Sequence, residues 1–242
     1  MTIPTPESAD EHIEKRPIIS SGNPELDSKM GGGIPLGALT LIEGGSGAGK
    51  SVLAQQMIWG SLKDGFHVAL FTSENSVTSL IRQMQSIDLD VLDFLLLGKL
   101  RAYPIELAHL GDQATRELFR AMKRMRDYDV LIIDSFTSAI TNSSTDVQIR
   151  TFFEGCKRLS ASGQTVIVTL HAHTVDEDLI DPIRSLCDAH LRLRTEADGQ
   201  RLIKLLEVAK VRGGAAVTGA IVGFDVEPGW GMRVIPISKA RG

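Results

Sequence analysis

Cysteine is nearly absent from this chain of 242 residues: Cys156 and Cys187 are the only two. They stand in no metal-like spacing, and read as two buried, reduced thiols of a cytosolic protein rather than a disulfide or a metal site. No apolar run approaches the ~20 residues that a membrane-crossing helix needs. The opening MTIPTPESADEH carries neither a basic n-region nor an apolar h-region, so no signal peptide is expected. The expectation is a soluble protein with no direct membrane insertion, attached to a membrane only through a partner. Positive charge is not in excess either: 26 basic residues face 30 acidic ones, a net charge of -4. That argues against whole-surface attraction to nucleic acid and leaves only a local basic patch open. Internal repeats and low-complexity segments are also missing.

What is present is a 43% hydrophobic, 23% charged composition that suits one α/β domain with a sizeable core. Residues 1–16 are polar with two early prolines and read as a flexible tail, leaving 17–242 as a single domain. From there apolar strands alternate with amphipathic helices, the signature of a mostly parallel, twisted sheet with helices on both faces. Strands are expected at Ala38–Glu43, Val68–Thr72, over FLLLGKLRAY (94–103), at Val130–Ile133 and at Thr165–Leu170. Helices are expected from about Ser51 to Lys63, in SVTSLIRQMQSI (76–87), from Asp112 to Arg126, and from Thr145-Asp146 to Ser162. The last third changes character. AHLRLRTEADGQRLIKLLEVAKV reads as two strands joined through Asp198-Gly199, a hairpin turn signal. GAIVGFDVE and MRVIPIS add two more, so an antiparallel extension is expected at the C-terminal edge of the sheet.

The segment Gly44-Gly45-Ser46-Gly47-Ala48-Gly49-Lys50-Ser51, running on into Val52, spells G-x-x-x-x-G-K-S between a strand and a helix. Glycines let backbone N–H groups turn inward around phosphates, and the helix N-terminus adds a positive dipole end. Lys50 is expected to reach the β- and γ-phosphates of ATP, and Ser51 to offer a hydroxyl to Mg²⁺. A second magnesium ligand is expected from DVLIIDS, where Asp134 ends a four-residue apolar strand. In an open parallel sheet that end faces the ligand crevice. Ser135 follows Asp134, so this strand supplies no base of its own. VALFT, Val68–Thr72, leads instead to one carboxylate, Glu74, which is either a base for water or a solvent-facing strand-end residue.

IISSGNPELDSKMGGGIPLGALTLIEGGSGAGKS resembles the opening of the RecA/RadA/KaiC branch of P-loop ATPases. FTSENSVTSLIRQM, CDAHLRLR and VEPGWGMRVIPISKA narrow the resemblance to the FlaH (ArlH) family, KaiC-like ATP-binding subunits of the archaellum motor. The likeness runs from about Arg16 to the C-terminus. It implies a RecA-like core and makes Glu74 the candidate catalytic base. KaiC-type ATPases usually carry two adjacent carboxylates there; here the second place is Asn75, which implies slow hydrolysis at most. VIVTLHAHT puts Thr169 and His171 at the sensor position for the γ-phosphate. The alternative is that His171 or His173 merely caps a strand. EVAKVRGG matches a K-x-R-G pattern in which Lys210 and Arg212 reach a neighbour's ATP in trans, the alternative being a solvated strand face.

The leading expectation is therefore an ATP-binding ring subunit, a hexamer by resemblance, at the cytoplasmic base of the archaellum and peripheral to its membrane-embedded motor. The implied partners are the motor ATPase FlaI, a scaffold ring of FlaX or its counterpart, and the platform FlaJ, with docking or regulation of the motor as the role in motility. A RecA/RadA-type recombinase is the alternative. Against it stand the acidic net charge, the lack of a helix–hairpin–helix module before the core, and the lack of a long glycine-rich loop after His171. A KaiC-like autokinase would use the same site residues and stays open at this stage.

Overall fold

The computed structural model describes residues 18–140, 145–172, 174–198, 201–213, 218–229 and 231–236. In chain order the elements are β1 (Ile18–Ile19), α1 (Pro24–Lys29), β2 (Ile34–Pro35), β3 (Leu39–Gly44), α2 (Lys50–Lys63), β4 (Val68–Thr72), α3 (Val77–Ser86), α4 (Leu92–Leu96), β5 (Leu100–Pro104), α5 (Ala114–Lys123), β6 (Val130–Asp134), α6 (Thr137–Ile140), α7 (Asp146–Ala161), β7 (Thr165–His171), α8 (Glu177–Leu186), β8 (Ala189–Asp198), β9 (Arg201–Val211), β10 (Ala220–Glu227) and β11 (Gly231–Ile235).

Nine strands form one sheet in the order β11-β10-β9-β8-β3-β7-β6-β4-β5. The six from β8 to β5 run parallel, and β9, β10 and β11 add antiparallel strands at the C-terminal edge. Successive residues of the buried strands point to opposite faces. Ile42, Leu70, Ile132 and Ile167 face α2 and α3, where Leu53, Met57, Leu80 and Met84 meet them. Leu41, Phe71, Leu131 and Val168 face α5, α7 and α8. Both faces being covered explains why these strands read as continuous apolar runs. The two cysteines are free and buried, as expected.

Side-chain caps mark the starts of α1, α3 and α7. The Thr145 side chain accepts from the Gln148 backbone while the Gln148 side chain accepts from the Thr145 backbone, a complete capping box for α7. Three expectations need correction. The strand expected over 94–103 begins only at Leu100, and the run before it is occupied by the short helix α4. The helix expected from Asp112 to Arg126 is α5, shorter at both ends, with Asp112 and Gln113 in a preceding 3₁₀ segment, Ala108–Gln113. Helix α8 was not anticipated, and Pro182 lies inside it. Proline leaves the carbonyl four residues back without its helical donor; that carbonyl, on Asp178, accepts from Arg150 of α7 at 3.1 Å. The expected 1–16 tail, His173 and Gly199 of the hairpin turn lie outside the described residues, but Asp198 pairs with Arg201 across the hairpin.

Candidate nucleotide site

The sheet register brings the expected site residues together at the C-terminal ends of adjacent strands. Gly44 of β3 is level with His171 of β7, and Thr72 of β4 is level with Asp134 of β6. The loop Gly44–Gly49 then turns into α2, with Lys50, Ser51 and Val52 as its first three residues. Gly47 and Gly49 take φ of 70° and 100°, a backbone region that side-chain-bearing residues avoid. Gly49 is moreover the N-cap of α2, and a Cβ there would come within 3.0 Å of the Phe224 ring.

Lys50 is buried, and its ammonium donates to the carbonyls of Gly44 (3.0 Å) and Gly45 (2.8 Å). Burial pushes its pKa down, against the attraction of Glu74 and Asp134. Its Nζ also lies 3.4 Å from His171 Nδ1. An ammonium can only donate, so Nδ1 accepts and Nε2 carries the imidazole proton, 3.9 Å from Glu74 Oε1. Burial and the neighbouring Lys50 lower the His171 pKa, which favours this neutral form. Ser51 Oγ sits 3.3 Å from both Glu74 Oε2 and Asp134 Oδ1. Thr169 donates to Asp134 Oδ1 at 2.7 Å. Burial raises the Asp134 carboxyl to about 6; Glu74 adds to the rise, and Thr169, Ser51 and Lys50 oppose it.

These residues fit a polyphosphate with a hard dication. A buried cation whose partners are two backbone carbonyls and a neutral imidazole, at the start of a helix, suits phosphate oxygens. A hydroxyl between two carboxylates suits Mg²⁺. Among the described residues no three acidic, histidine or cysteine side chains converge as a self-sufficient metal cage. Mg²⁺ commonly takes one or two carboxylates and completes its shell with water and phosphate. Asn75 does not join the site: its side chain accepts from Ser79 in α3, and its N–H donates to Thr72 Oγ1.

Lys210 and Arg212 lie elsewhere. β9 ends at Val211, so Arg212 stands one residue past the strand on which both were expected. They nevertheless converge. Lys210 donates to the carbonyls of Arg184 (2.7 Å) and Ser185 (3.2 Å), and Arg212 to that of Ser185 (3.2 Å). Cations at the C-terminus of α8 meet the negative end of its dipole. Neither touches the chain's own phosphate loop.

One group beside the loop was not anticipated. Glu43, the residue before Gly44, is buried between Arg184, which donates to both carboxylate oxygens at 2.9 and 3.0 Å, and His190, in close contact with Oε2. Burial alone would raise the Glu43 carboxyl, but hydrogen bonds and charge from His190 and Arg184 overcome it and hold it at about 2. Its only sequence signal is an acid inside the apolar run LTLIEG; its partners lie 141 and 147 positions away.

The ATPase family of KaiC matches residues 19–239. The archaeal flagellar ATP-binding protein FlaH of Sulfolobus acidocaldarius is 32% identical over 229 residues, covering 93% of this chain and 99% of that one. FlaH of Methanocaldococcus jannaschii is 28% identical, covering 87% and 91%. The crystal structure of the flagellar accessory protein FlaH from M. jannaschii superimposes with a TM-score of 0.78 at 26% identity, over 90% of this chain and 98% of that one. With a phosphate loop, strand-end acids and sheet order of the RecA/KaiC type, this chain belongs to the KaiC family of P-loop ATPases and, within it, to the FlaH proteins of the archaeal flagellum.

Proposed function

We propose that this protein is an ATP–Mg²⁺-binding switch subunit of the archaellum motor, with hydrolysis slow or regulatory. The observation that carries this reading is the convergence of Lys50, Ser51, Glu74, Asp134 and His171 at one crevice while Asn75 is tied into α3. Residues Gly44–Val52 hold the phosphates, with Lys50 turning from the loop carbonyls to the β- and γ-phosphate oxygens. Ser51 and Asp134 hold Mg²⁺. Glu74 orients and deprotonates water without a second carboxylate to assist it, so turnover by the protein alone is low. His171, in contact with both Lys50 and Glu74, senses whether a γ-phosphate is present. ATP, when bound, supplies the γ-phosphoryl group whose presence or absence defines the switch.

Lys210 and Arg212, placed away from their own loop, serve the site of a neighbouring copy. Each complete site then takes two chains, which favours a ring, hexameric by family resemblance. The ring docks the motor ATPase FlaI at the cytoplasmic base of the archaellum, beside the scaffold FlaX or its counterpart and beneath the platform FlaJ. In keeping with a peripheral position, no helix among the described residues is long and apolar enough to cross a membrane. The test is ATP turnover and co-sedimentation of the purified protein with the motor ATPase, in ATP and in ADP. Low intrinsic turnover and ATP-dependent association support the reading; fast turnover alone, or association indifferent to nucleotide, contradicts it.

A further inference from the structure

On the sheet face opposite α2, helices α5 and α7 leave a groove of about 180 Å³ that the nucleotide site does not use. Its floor is aromatic and firmly built. Gly155 of α7 lets the Phe119 ring lie directly on that helix, since a Cβ there would stand 2.6 Å from the ring. Phe119 meets Phe152 edge-on at 6.3 Å, and Phe152 stacks on Phe136 at 4.3 Å. One end is closed where the Gln148 side chain donates to the Asp112 carbonyl at 2.9 Å. Val147, 71% exposed, stands at the mouth. The volume is close to the ~150 Å³ of an apolar cavity that admits a benzene ring, which is room for one large apolar side chain.

Among the charged residues that line the groove, Arg116 and Arg158 outnumber the one acid, Asp112. Arg116, Arg120 and Lys123 recur at helical spacing along one edge of α5, with Arg124 and Arg126 just beyond its end, against one acid, Glu117. Arg120 is paired with Glu117 at 2.7 Å; Arg116, Lys123, Arg124 and Arg126 have no ion-pair partner among the described residues. Arg158 of α7 lines the groove from the other side, also without one. The nearby acids are Asp112 in the lining, Asp146 beside Val147, Glu154 on α7 and Asp127 after Arg126, besides the paired Glu117.

We propose that the α5–α7 groove is a docking site for an acidic segment of another protein that presents a single large apolar side chain. The apolar floor takes the anchor, and the flanking acids of the partner meet Arg116, Lys123 and Arg158 at the rim. A concave pocket sized for one side chain, rather than a flat or convex apolar surface, favours a peptide over a bilayer. None of the described rim residues is an exposed aromatic that could serve as the stacking platform single-stranded nucleic acid uses. None of the residues lining the groove belongs to the phosphate loop.

The experiment uses the full chain and a fluorescent peptide of Glu and Asp residues around one central Phe, read by anisotropy at about 50 mM salt, where screening is weak. Wild type should bind it. Arg116→Glu/Arg158→Glu should weaken binding about tenfold or more, with the gap closing near ~1 M salt, and Val147→Glu should weaken it without removing a cation. A peptide with Phe→Ala should bind roughly tenfold more weakly, as loss of a buried anchor does. An unchanged ATP-induced rise in melting temperature certifies that the variants are folded. No binding by wild type, or equal binding by the folded variants, overturns the proposal. So does preferential binding of phosphatidylglycerol vesicles or of an oligonucleotide that the same substitutions abolish, and so does a loss of self-assembly in the variants, which would make the groove a contact between copies.

Discussion

Asp134→Asn should stabilise the nucleotide-free protein while removing a carboxylate proposed to hold Mg²⁺. Asp134 is 4% exposed and lies beside Glu74, so its charge is held at a cost. A carboxyl raised from 3.8 to about 6 on folding keeps its proton in a window where the unfolded chain has lost it. Stability therefore falls as pH rises from about 4 to about 6, and the deficit is complete above that range. The gap corresponds to about 3 kcal/mol. Asparagine removes the charge and still accepts from Thr169, so at about pH 7.5 without nucleotide or Mg²⁺ the variant should gain about 1–3 kcal/mol. For a chain of this size that is a rise of roughly 3–10 °C in melting temperature. The advantage should vanish below about pH 4, where wild-type Asp134 is protonated in both states. The additional rise that wild type shows with ATP and Mg²⁺ should be absent or much smaller in the variant. Thermal melts across pH, with and without ligand, read all of this. A variant that melts below wild type at about pH 7.5 without ligand would refute the reasoning, because it would mean that the buried carboxylate contributes net stability.

Lys50→Ala should abolish the ATP-induced stabilisation, which in wild type at ~100 times the dissociation constant amounts to roughly 2.7 kcal/mol; an unchanged melting shift would contradict the assignment of the phosphate loop. Glu74→Gln should lower whatever turnover is measured by ~10²–10⁴-fold with ATP affinity nearly intact, and turnover indifferent to the change would place the base elsewhere. The Glu43 carboxyl is depressed from 4.5 to about 2, so its contribution of about 3 kcal/mol is present above pH ~4.5 and is lost as pH falls toward 2. Glu43→Gln should therefore destabilise the protein by about 3 kcal/mol near neutrality, and the difference from wild type should shrink in acid; a difference independent of pH would show that packing, not charge, is responsible.

The parts of the fold and site that were legible in sequence are those set by local pattern. The phosphate loop has its glycines, lysine and serine in consecutive positions, and the strands before Glu74 and Asp134 are unbroken apolar runs whose ends must reach the crevice. The run FLLLGK is ambiguous because four apolar residues suit a strand or a short helix equally, and the structure makes it the end of α4. Helix α8 has its apolar residues at Leu179, Ile180 and Ile183, a helical spacing, but Pro182 obscures it; the carbonyl that Pro182 leaves over is satisfied by Arg150, from a helix distant in sequence. The ion cluster of Glu43, Arg184 and His190 and the grip of Lys210 on α8 are likewise products of tertiary assembly, with no local spacing to announce them.

The central claim is that the γ-phosphate controls assembly through Lys210 and Arg212. A ligand shifts an equilibrium only through its difference in affinity between the two states. Sedimentation velocity should be measured for wild type and for Lys210→Ala/Arg212→Ala, each with ATP–Mg²⁺, with ADP–Mg²⁺ and without nucleotide. Wild type should assemble most in ATP and less in ADP. The double variant should still bind ATP as a monomer yet fail to assemble in response. Equal distributions in all six samples would contradict the account and leave the two cations as C-terminal partners of α8 and nothing more.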